Sequence, residues 1–250
     1  MAEDMANTQS PDALSAAEQG KRAAAIKALE WVEDGMKLGL GTGSTAKWFV
    51  DLLAPHLADT GKRVVGVPTS SRTRTQAEGL GIPLSTLGEL GSLDVTIDGA
   101  DEFDPALNLI KGGGGALLQE KIVASSSDRM VVITDPSKEV ASLGAYDLPV
   151  EVICFGWQAT VGAIAEVLEP ADVDGREIVM RMEGDQPYVT DEGHYIFDLK
   201  LGRIGDPDIL GISLNQVPGV VETGLFCGLA SVVIIGEPGG TARVVEGGSA

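Results

Sequence analysis

Hydrophobic positions along the chain recur at two spacings, and the two alternate from segment to segment. Between residues 16 and 34 apolar side chains recur every three or four positions, as at Ala23, Ile26 and Leu29, which predicts a helix. Four short apolar runs before residue 149 predict strands, each followed by a glycine-containing turn, an acidic loop or a helical segment. This alternation favours a Rossmann-like α/β fold, a mostly parallel sheet flanked by helices.

The pattern changes after Pro149. Four segments there have the composition of strands and two have helical spacing, in the order βαββαβ of a ferredoxin-like α+β unit. The strands are expected at 150–155, 177–183, 194–201 and 220–226, and the helices at 159–169 and 207–217.

These changes of pattern divide the chain into domains. We expect a flexible N-terminal extension at 1–15, a large α/β catalytic domain at 16–149 and 224–250, and a small α+β domain at 150–223. The end of the chain is assigned to the large domain because the apolar run at 231–237 predicts a strand that returns to the large sheet.

The charge balance is strongly acidic. The 250 residues include 37 Asp and Glu against 18 Lys and Arg, a net charge of −19. Such a surface repels phosphate backbones, so a nucleic-acid partner is disfavoured. The acids are spread along the chain and few lysines accompany them, which suggests adaptation to high salt, where self-repulsion is screened. An ordinary acidic cytosolic protein is the alternative.

Apolar runs and cysteines indicate the compartment. The longest apolar runs fall short of the ~20 residues that a membrane span needs, and the polar start of the chain does not resemble a secretory signal. Cys154 and Cys227 lie far apart in apolar segments, which argues against a disulfide framework and a cysteine zinc site. We expect a cytoplasmic protein with no membrane partner.

The first candidate motif, GLGTGSTA at 39–46, joins a predicted strand to a predicted helix. Glycines let the backbone approach a ligand, the N–H groups of a helix start favour an anion, and Ser44 and Thr45 add hydroxyls. The motif loosely fits a dinucleotide fingerprint, but the next strand ends without the acid that holds a ribose. We favour a phosphate monoester over a nucleotide, and either over an empty turn.

The second motif is acidic. Asp98 and Asp101 follow a predicted strand, at the edge where open α/β sheets bind ligands. Their carboxylates could hold Mg²⁺, accept hydrogen bonds from hydroxyls or carry protons, and a solvated acidic loop is the simplest alternative. His56 and His194 lie far from this motif in the sequence, so a metal site has little support.

The third motif is KGGGGALLQEK at 111–121. Ordering four successive glycines costs much conformational entropy, so close approach of the backbone to a ligand explains them better than a linker within one domain. Lys111 supplies a positive charge for a phosphate or an oxyanion. Glu120 falls in the first turns of the following helix, as a catalytic carboxylate or as a surface glutamate paired with a lysine.

Together these motifs resemble those of ribose-5-phosphate isomerases of type A. GLGTGSTA, TSSRTRTQAEGLGIPL, VTIDGADEFD, LIKGGGGALLQEKI and ITDPSK occur in the family's order, and the resemblance extends from about Lys21 to Gly236. It implies an aldose–ketose isomerase, an intramolecular oxidoreductase that interconverts D-ribose 5-phosphate and D-ribulose 5-phosphate in the non-oxidative pentose phosphate pathway. It also implies an enediolate intermediate, no metal or organic cofactor, and a homodimer or homotetramer.

The resemblance also implies a role for each matching residue. Glu120 would move a proton between C1 and C2, and Lys111 would stabilise the enediolate oxygen. Asp98 and Asp101 would contact the sugar hydroxyls and assist ring opening and O–H proton transfer. Lys21 would reach the phosphate. The remaining implied substrate contacts are Thr42, Gly43, Ser44, Thr45, Gly99, Ala100, Gly112, Gly113, Gly114 and Lys138.

Two questions stay open at this point. A base for this reaction works best with a pKa near neutrality, whereas a helix start beside Lys111 and Lys121 would lower the pKa of Glu120 and burial would raise it. Two other protein classes also come into question. A sugar-phosphate-sensing repressor would need an N-terminal helix-turn-helix, and an amino-sugar phosphate deaminase would need a catalytic histidine, and the motifs supply neither.

Overall fold

The computed structural model describes residues 14–247, which form fifteen strands and seven α-helices. The strands are β1 (Lys37–Leu40), β2 (Val65–Pro68), β3 (Val95–Asp98), β4 (Glu102–Phe103), β5 (Leu109–Ile110), β6 (Met130–Thr134), β7 (Leu148–Val152), β8 (Glu177–Met180), β9 (Met182–Glu183), β10 (Gln186–Pro187), β11 (Tyr195–Lys200), β12 (Val220–Thr223), β13 (Leu225–Phe226), β14 (Ala230–Gly236) and β15 (Ala242–Glu246). The helices are α1 (Ala16–Ala28), α2 (Ser44–Thr60), α3 (Ser71–Gly79), α4 (Leu87–Leu90), α5 (Leu117–Ser125), α6 (Trp157–Leu168) and α7 (Pro207–Asn215). Among these residues no helix is both long and apolar enough to cross a bilayer.

The central sheet has the order β2-β1-β3-β6-β14-β15, and its neighbours are parallel except for the antiparallel edge strand β15. Alternate side chains of each strand enter different cores. Val131 and Ile133 of β6 pack with α1 and α2 on one face, and Met130 and Val132 pack with Ala124 of α5 on the other. This arrangement confirms the predicted α/β fold, a mostly parallel sheet flanked by helices.

The order of the strands places a crevice between β1 and β3. The chain leaves β1 for β2 on one side and then returns to β3 on the other, so the connections above these two strands diverge. Open α/β sheets bind their ligands at such a point, beyond the carboxyl ends of the strands. The glycine-rich turn after β1 and the acidic turn after β3 both lie there.

A second sheet contains β12-β7-β11-β8, with antiparallel neighbours throughout. Together with α6 and α7 these strands follow the βαββαβ order that the sequence predicts. Val150 and Phe197 of the sheet share a core with Ile164 of α6 and Leu210 of α7. The division of the chain into domains at residues 150 and 223 stays a prediction.

Element ends differ from the sequence expectation in several places. The strand expected over 177–183 is interrupted at Arg181, between β8 and β9. The helix expected over 16–34 ends at Ala28 and tightens into a 3₁₀ turn at Leu29–Trp31. The strand expected over 220–226 breaks at Gly224, where a Cβ would lie 2.3 Å from the carbonyl oxygen of Lys111. Ser15, placed in the extension 1–15, caps α1 by accepting a hydrogen bond from the Glu18 N–H. The rest of that extension, 1–13, and 248–250 lie outside the described residues.

Candidate active site

The glycine-rich turn after β1 packs its backbone directly against the carboxylate of Asp98. A Cβ at Gly41 would lie 2.2 Å from Asp98 Oδ1, so the turn after β1 can touch β3 only through a glycine. Gly43 has a φ of 120°, and α2 begins at the next residue, Ser44. The first N–H groups of a 17-residue helix therefore lie at the crevice, where the helix dipole favours an anion.

Thr42 occupies its polar groups within the protein. Its N–H donates to Asp98 Oδ1 at 3.0 Å, and its hydroxyl lies within 2.8–3.0 Å of the hydroxyls of Thr69, Ser70 and Thr73. The hydroxyl of Thr42 therefore already has partners within the protein, and its substrate contact stays a prediction. The TSSRT segment, to which sequence reasoning gave no chemical role, supplies this buried network beneath the turn.

Lys111 joins two carboxylates at the base of the crevice. Its Nζ lies 3.1 Å from Asp98 Oδ2 and 3.2 Å from Glu120 Oε1, and it donates to the carbonyl of Gly99. All three side chains are buried, with 5% exposure or less. Although burial alone would lower the pKa of Lys111, the two carboxylates hold it above its usual range. The ammonium therefore stays charged.

The two carboxylates differ in the donors that they receive. Asp98 accepts N–H bonds from Thr42 and Gly99 in addition to its contact with Lys111. Glu120 has the Lys111 contact on Oε1, and its Oε2 has no hydrogen-bond partner among the described residues. Asp98 Oδ2 has only its ion contact with Lys111. Burial raises the pKa of Asp98 and raises that of Glu120 to about 8, with Lys111 opposing both shifts. Because Asp98 has more donors, it is the carboxylate better suited to hold the negative charge.

The lysine that follows Glu120 points elsewhere. Lys121 Nζ lies 2.8 Å from Glu222 Oε1 and 2.7 Å from the carbonyl oxygen of Thr223. The expectation that Glu120 lies beside both Lys111 and Lys121 is therefore wrong for Lys121, because consecutive helical residues face different directions. Burial outweighs Lys111, so the pKa of Glu120 is raised.

Asp101 is held by the second glycine-rich loop. The N–H of Gly113 donates to Asp101 Oδ2 at 2.7 Å. A Cβ at Gly113 would lie 2.8 Å from Asp101 Oδ1 and 2.4 Å from the hydroxyl of Tyr146, so this loop also approaches its partners through a glycine. The acidic turn and the glycine loop thereby form one wall.

A cavity of about 400 Å³ lies above Lys111 and Glu120. Lys21 enters it from α1 and Lys138 from the turn after β6, so cationic side chains reach the cavity from three directions. Lys21 also pairs with Glu18 at 2.8 Å. The cavity is lined by Ala17, Lys21, Thr42, Gly43, Ser44, Thr45, Gly99, Ala100, Asp101, Lys111, Gly112, Gly114, Glu120, Asp135, Ser137 and Lys138.

Two of the substrate contacts that the resemblance implies, Asp98 and Gly113, do not line the cavity. Asp98 is fully buried and touches Lys111 and the turn of Gly41 rather than the cavity. Asp98 is therefore linked to the cavity through its contact with Lys111, and its contact with sugar hydroxyls stays a prediction. Within residues 14–247, no group of three or more His, Cys, Asp and Glu side chains is placed to hold a metal ion.

Two arginines that sequence reasoning missed hold the glycine loop from outside. Arg72 of α3 donates to the carbonyl of Gly114, and Arg181, which lies between β8 and β9, donates to the carbonyls of Gly112 and Gly113. Arg181 is 69 residues from Gly112 in the chain, so no local spacing links them.

Comparison with known proteins identifies the relatives of this chain. The model of the family "Ribose 5-phosphate isomerase A (phosphoriboisomerase A)" matches residues 65–240. A ribose-5-phosphate isomerase A of Cereibacter sphaeroides is 57% identical over 242 residues, 96% of this chain and 92% of that protein. One of Dinoroseobacter shibae is 56% identical over 231 residues, 92% of this chain and 89% of that protein.

Solved structures agree with the sequence relatives. A ribose 5-phosphate isomerase from Plasmodium falciparum superposes with a TM-score of 0.87 at 34% identity, covering 93% of this chain and 100% of that one. A D-ribose-5-phosphate isomerase solved in complex with phospho-erythronic acid gives a TM-score of 0.85 at 40% identity, over 92% of this chain and 99% of that one. The chain therefore belongs to the ribose 5-phosphate isomerase A family.

Proposed function

We propose that this chain interconverts D-ribose 5-phosphate and D-ribulose 5-phosphate in the cavity above Lys111, with Glu120 as the base. The observation that carries the assignment is Glu120 itself. It is buried, lines the cavity, keeps Oε2 free of partners among the described residues, and has a pKa of about 8. A base poised near neutrality takes and returns a proton with similar ease, as a reversible isomerisation requires.

The proposed chemistry balances at two carbons and two oxygens. Glu120 removes the proton of C2 from the open-chain aldose and returns it to C1 of the enediolate. In the same conversion the hydroxyl proton passes from O2 to O1, with Asp101 as the assisting carboxylate. Asp101 lines the cavity, and the Gly113 N–H on Oδ2 leaves its other oxygen for the sugar. The same carboxylate would assist ring opening.

Lys111 would stabilise the developing enediolate oxygen. It is 2% exposed, lines the cavity, and holds its charge because Asp98 lies 3.1 Å away. A preorganised charge in a site with little water stabilises an oxyanion more strongly than the same charge in solvent. Asp98 therefore acts on the substrate through Lys111, by keeping the ammonium charged and in place.

The phosphate would bind at the start of α2. Ser44 and Thr45 line the cavity there, with the free N–H groups of the helix start and with Lys21 and Lys138 nearby. A phosphate held away from the reacting carbons orients the sugar above Glu120. The 40% identical relative was solved in complex with phospho-erythronic acid, a ligand that also carries a phosphate.

Two wider features belong to the same proposal. We infer that the chain forms a homodimer or homotetramer, as the family resemblance implies, and that its net charge of −19 reflects adaptation to high salt. Neither changes the chemistry of the cavity.

Replacing Glu120 by glutamine tests the proposal. Glu120→Gln keeps the size of the side chain and removes the proton acceptor, so kcat should fall by about 10²–10⁴-fold, the usual contribution of a positioned general base. Glu166→Gln is the matched control, because Glu166 lies exposed on α6, which packs on the second sheet. A folded Glu120→Gln variant with the kcat of the control would remove Glu120 from the mechanism.

A further inference from the structure

The glycine loop at 112–115 is held from the small antiparallel sheet by one side chain, that of Arg181. Its Nη1 donates to the carbonyl of Gly112 at 2.7 Å and to that of Gly113 at 3.3 Å. Its Nε and Nη2 make a paired contact with the carboxylate of Asp198 on β11. The planar guanidinium is therefore fixed on one edge by Asp198 and holds the loop with the other.

One peptide unit links Arg181 to Asp101. The carbonyl of Gly112 and the N–H of Gly113 belong to the same rigid amide plane, so neither can turn without the other. Arg181 holds the carbonyl end, and the N–H end donates to Asp101 Oδ2 at 2.7 Å. Glycine restrains its own dihedral angles little, so the orientation of this amide depends on such outside contacts.

We propose that Arg181 is a positioning residue for the isomerisation, which aims the Asp101 carboxylate at the sugar through the Gly112–Gly113 peptide. The inference rests on the role proposed above for Asp101. It gives the small sheet a part in the reaction, since Arg181 directly follows β8 and its partner Asp198 lies on β11.

Removing the guanidinium tests this inference. Arg181→Met keeps an unbranched side chain but frees the peptide, so kcat should fall by about 10²-fold, the usual cost of a small misplacement of a reacting group. Inhibition by inorganic phosphate should stay within twofold of the starting protein, because the phosphate contacts lie on α2. A merely structural role would lower stability and leave kcat of the folded fraction unchanged.

The chain offers a matched control in Arg176. This arginine also belongs to the small-sheet region and donates to backbone carbonyls, those of Leu168, Glu169 and Ala171, away from the cavity. Arg176→Met should therefore lower Tm and keep kcat. An Arg181→Met variant that behaves in the same way would overturn the proposal.

A double-variant comparison asks whether Arg181 acts through Asp101. Asp101→Asn keeps an oxygen for the Gly113 N–H and removes the charge. In that background Arg181→Met should cost less than about threefold in kcat, because the group that it positions no longer takes part. An unreduced loss would show that Arg181 acts by another route and would overturn the inference. A normal kcat in Asp101→Asn alone would instead refute the role of Asp101, and with it the inference.

Unpairing Asp198 is the main risk to folding. Arg181→Met together with Asp198→Leu removes both charges, and apolar replacement of a buried pair is often tolerated. This pair variant should show the same loss of kcat as Arg181→Met. Arg181→Lys should recover part of the rate, since one ammonium can reach a carbonyl but cannot pair with both oxygens of Asp198 at once. Full activity in a folded pair variant would contradict the proposal.

Discussion

At the scale of single residues, the site depends on two buried carboxylates that share one lysine. Asp98 receives two backbone N–H bonds and the contact with Lys111, whereas Glu120 receives the lysine alone. Burial raises the pKa of both carboxylates, and the backbone donors on Asp98 separate two groups that have similar pKa values in water. In the proposed mechanism Asp98 holds the charge of the lysine, and Glu120 exchanges a proton with the substrate.

The pH dependence of kcat/KM follows from that difference. The base must be ionised, so activity should rise as the pH rises through the pKa of Glu120, about 8, rather than through the ordinary glutamate range. The second ionisation of a sugar phosphate lies near pH 6. A rise in activity that comes from the substrate can therefore be distinguished from the rise, or acid limb, that comes from Glu120. Lys111→Met removes a charge that lowers the pKa of Glu120 and should move the limb to still higher pH.

An acid limb near pH 4–5 would contradict this picture. It would mean that Lys111 outweighs burial and that Glu120 is ionised at all ordinary pH values. A limb that stays in place in Lys111→Met would mean that Glu120 is not the group that titrates.

The family resemblance predicted which residues meet but not how they are buried. Asp98, Lys111 and Glu120 were expected at one site, and the structure brings both carboxylates within 3.2 Å of the Lys111 Nζ. The sign of the Glu120 shift was open because burial depends on segments far away in the chain, such as β13, whose Phe226 ring lies 5.5 Å from the Lys111 Nζ. The partner of Lys121 on β12 was hidden for the same reason.

At the scale of elements, the helix α2 carries the proposed phosphate end of the site. Its start at Ser44 follows directly from the glycines of the turn, which is why the sequence predicted it. Ser44→Asp places a carboxylate where the proposed phosphate binds, so KM should rise by about tenfold or more and inhibition by inorganic phosphate should weaken with it.

The matched control adds the same charge elsewhere. Ser92 lies exposed just before β3, at the other end of that strand from Asp98, so Ser92→Asp should leave KM unchanged. If Ser44→Asp had the KM of this control, the phosphate would have to bind elsewhere, with the glycine loop at 112–115 as the next candidate.

Strand and helix order could be predicted, and strand interruptions could not. The sequence indicated one strand at 220–226 because this segment has the composition of a strand. The structure ends β12 at Thr223 and starts β13 after Gly224, whose carbonyl accepts a hydrogen bond from the Lys111 N–H at 2.8 Å. The break lets Gly224 contact the backbone of Lys111, a residue more than a hundred positions away in the chain, so no local pattern could predict it.

At the scale of the whole molecule, lysines gather at one cavity although the chain as a whole is strongly negative. The chain carries a net charge of −19, yet Lys21, Lys111 and Lys138 all reach the one cavity. A local positive site inside a negative field can bind an anionic sugar phosphate while the net negative charge disfavours nucleic acids.

The acidic surface predicts how stability responds to salt. Tm should stay level or rise from dilute buffer to multimolar KCl, because salt screens the repulsion among exposed carboxylates. Chloride is the salt to use, since sulfate would bind at the phosphate position and raise Tm by binding. A maximum of Tm in dilute buffer would contradict adaptation to high salt and leave an ordinary acidic protein.

Solvent deuterium uptake tests the central claim, that Glu120 moves the proton between C1 and C2, most directly. With ribose 5-phosphate in D₂O, Glu120→Gln should lose both isomerisation and incorporation of deuterium at carbon by the same factor, about 10²–10⁴, because both need the same proton removal. Glu166→Gln should match the starting protein in both rates. Deuterium uptake at the rate of this control in a folded Glu120→Gln variant would contradict the account and leave Asp101, the carboxylate proposed to assist the O–H proton transfer, as the candidate base.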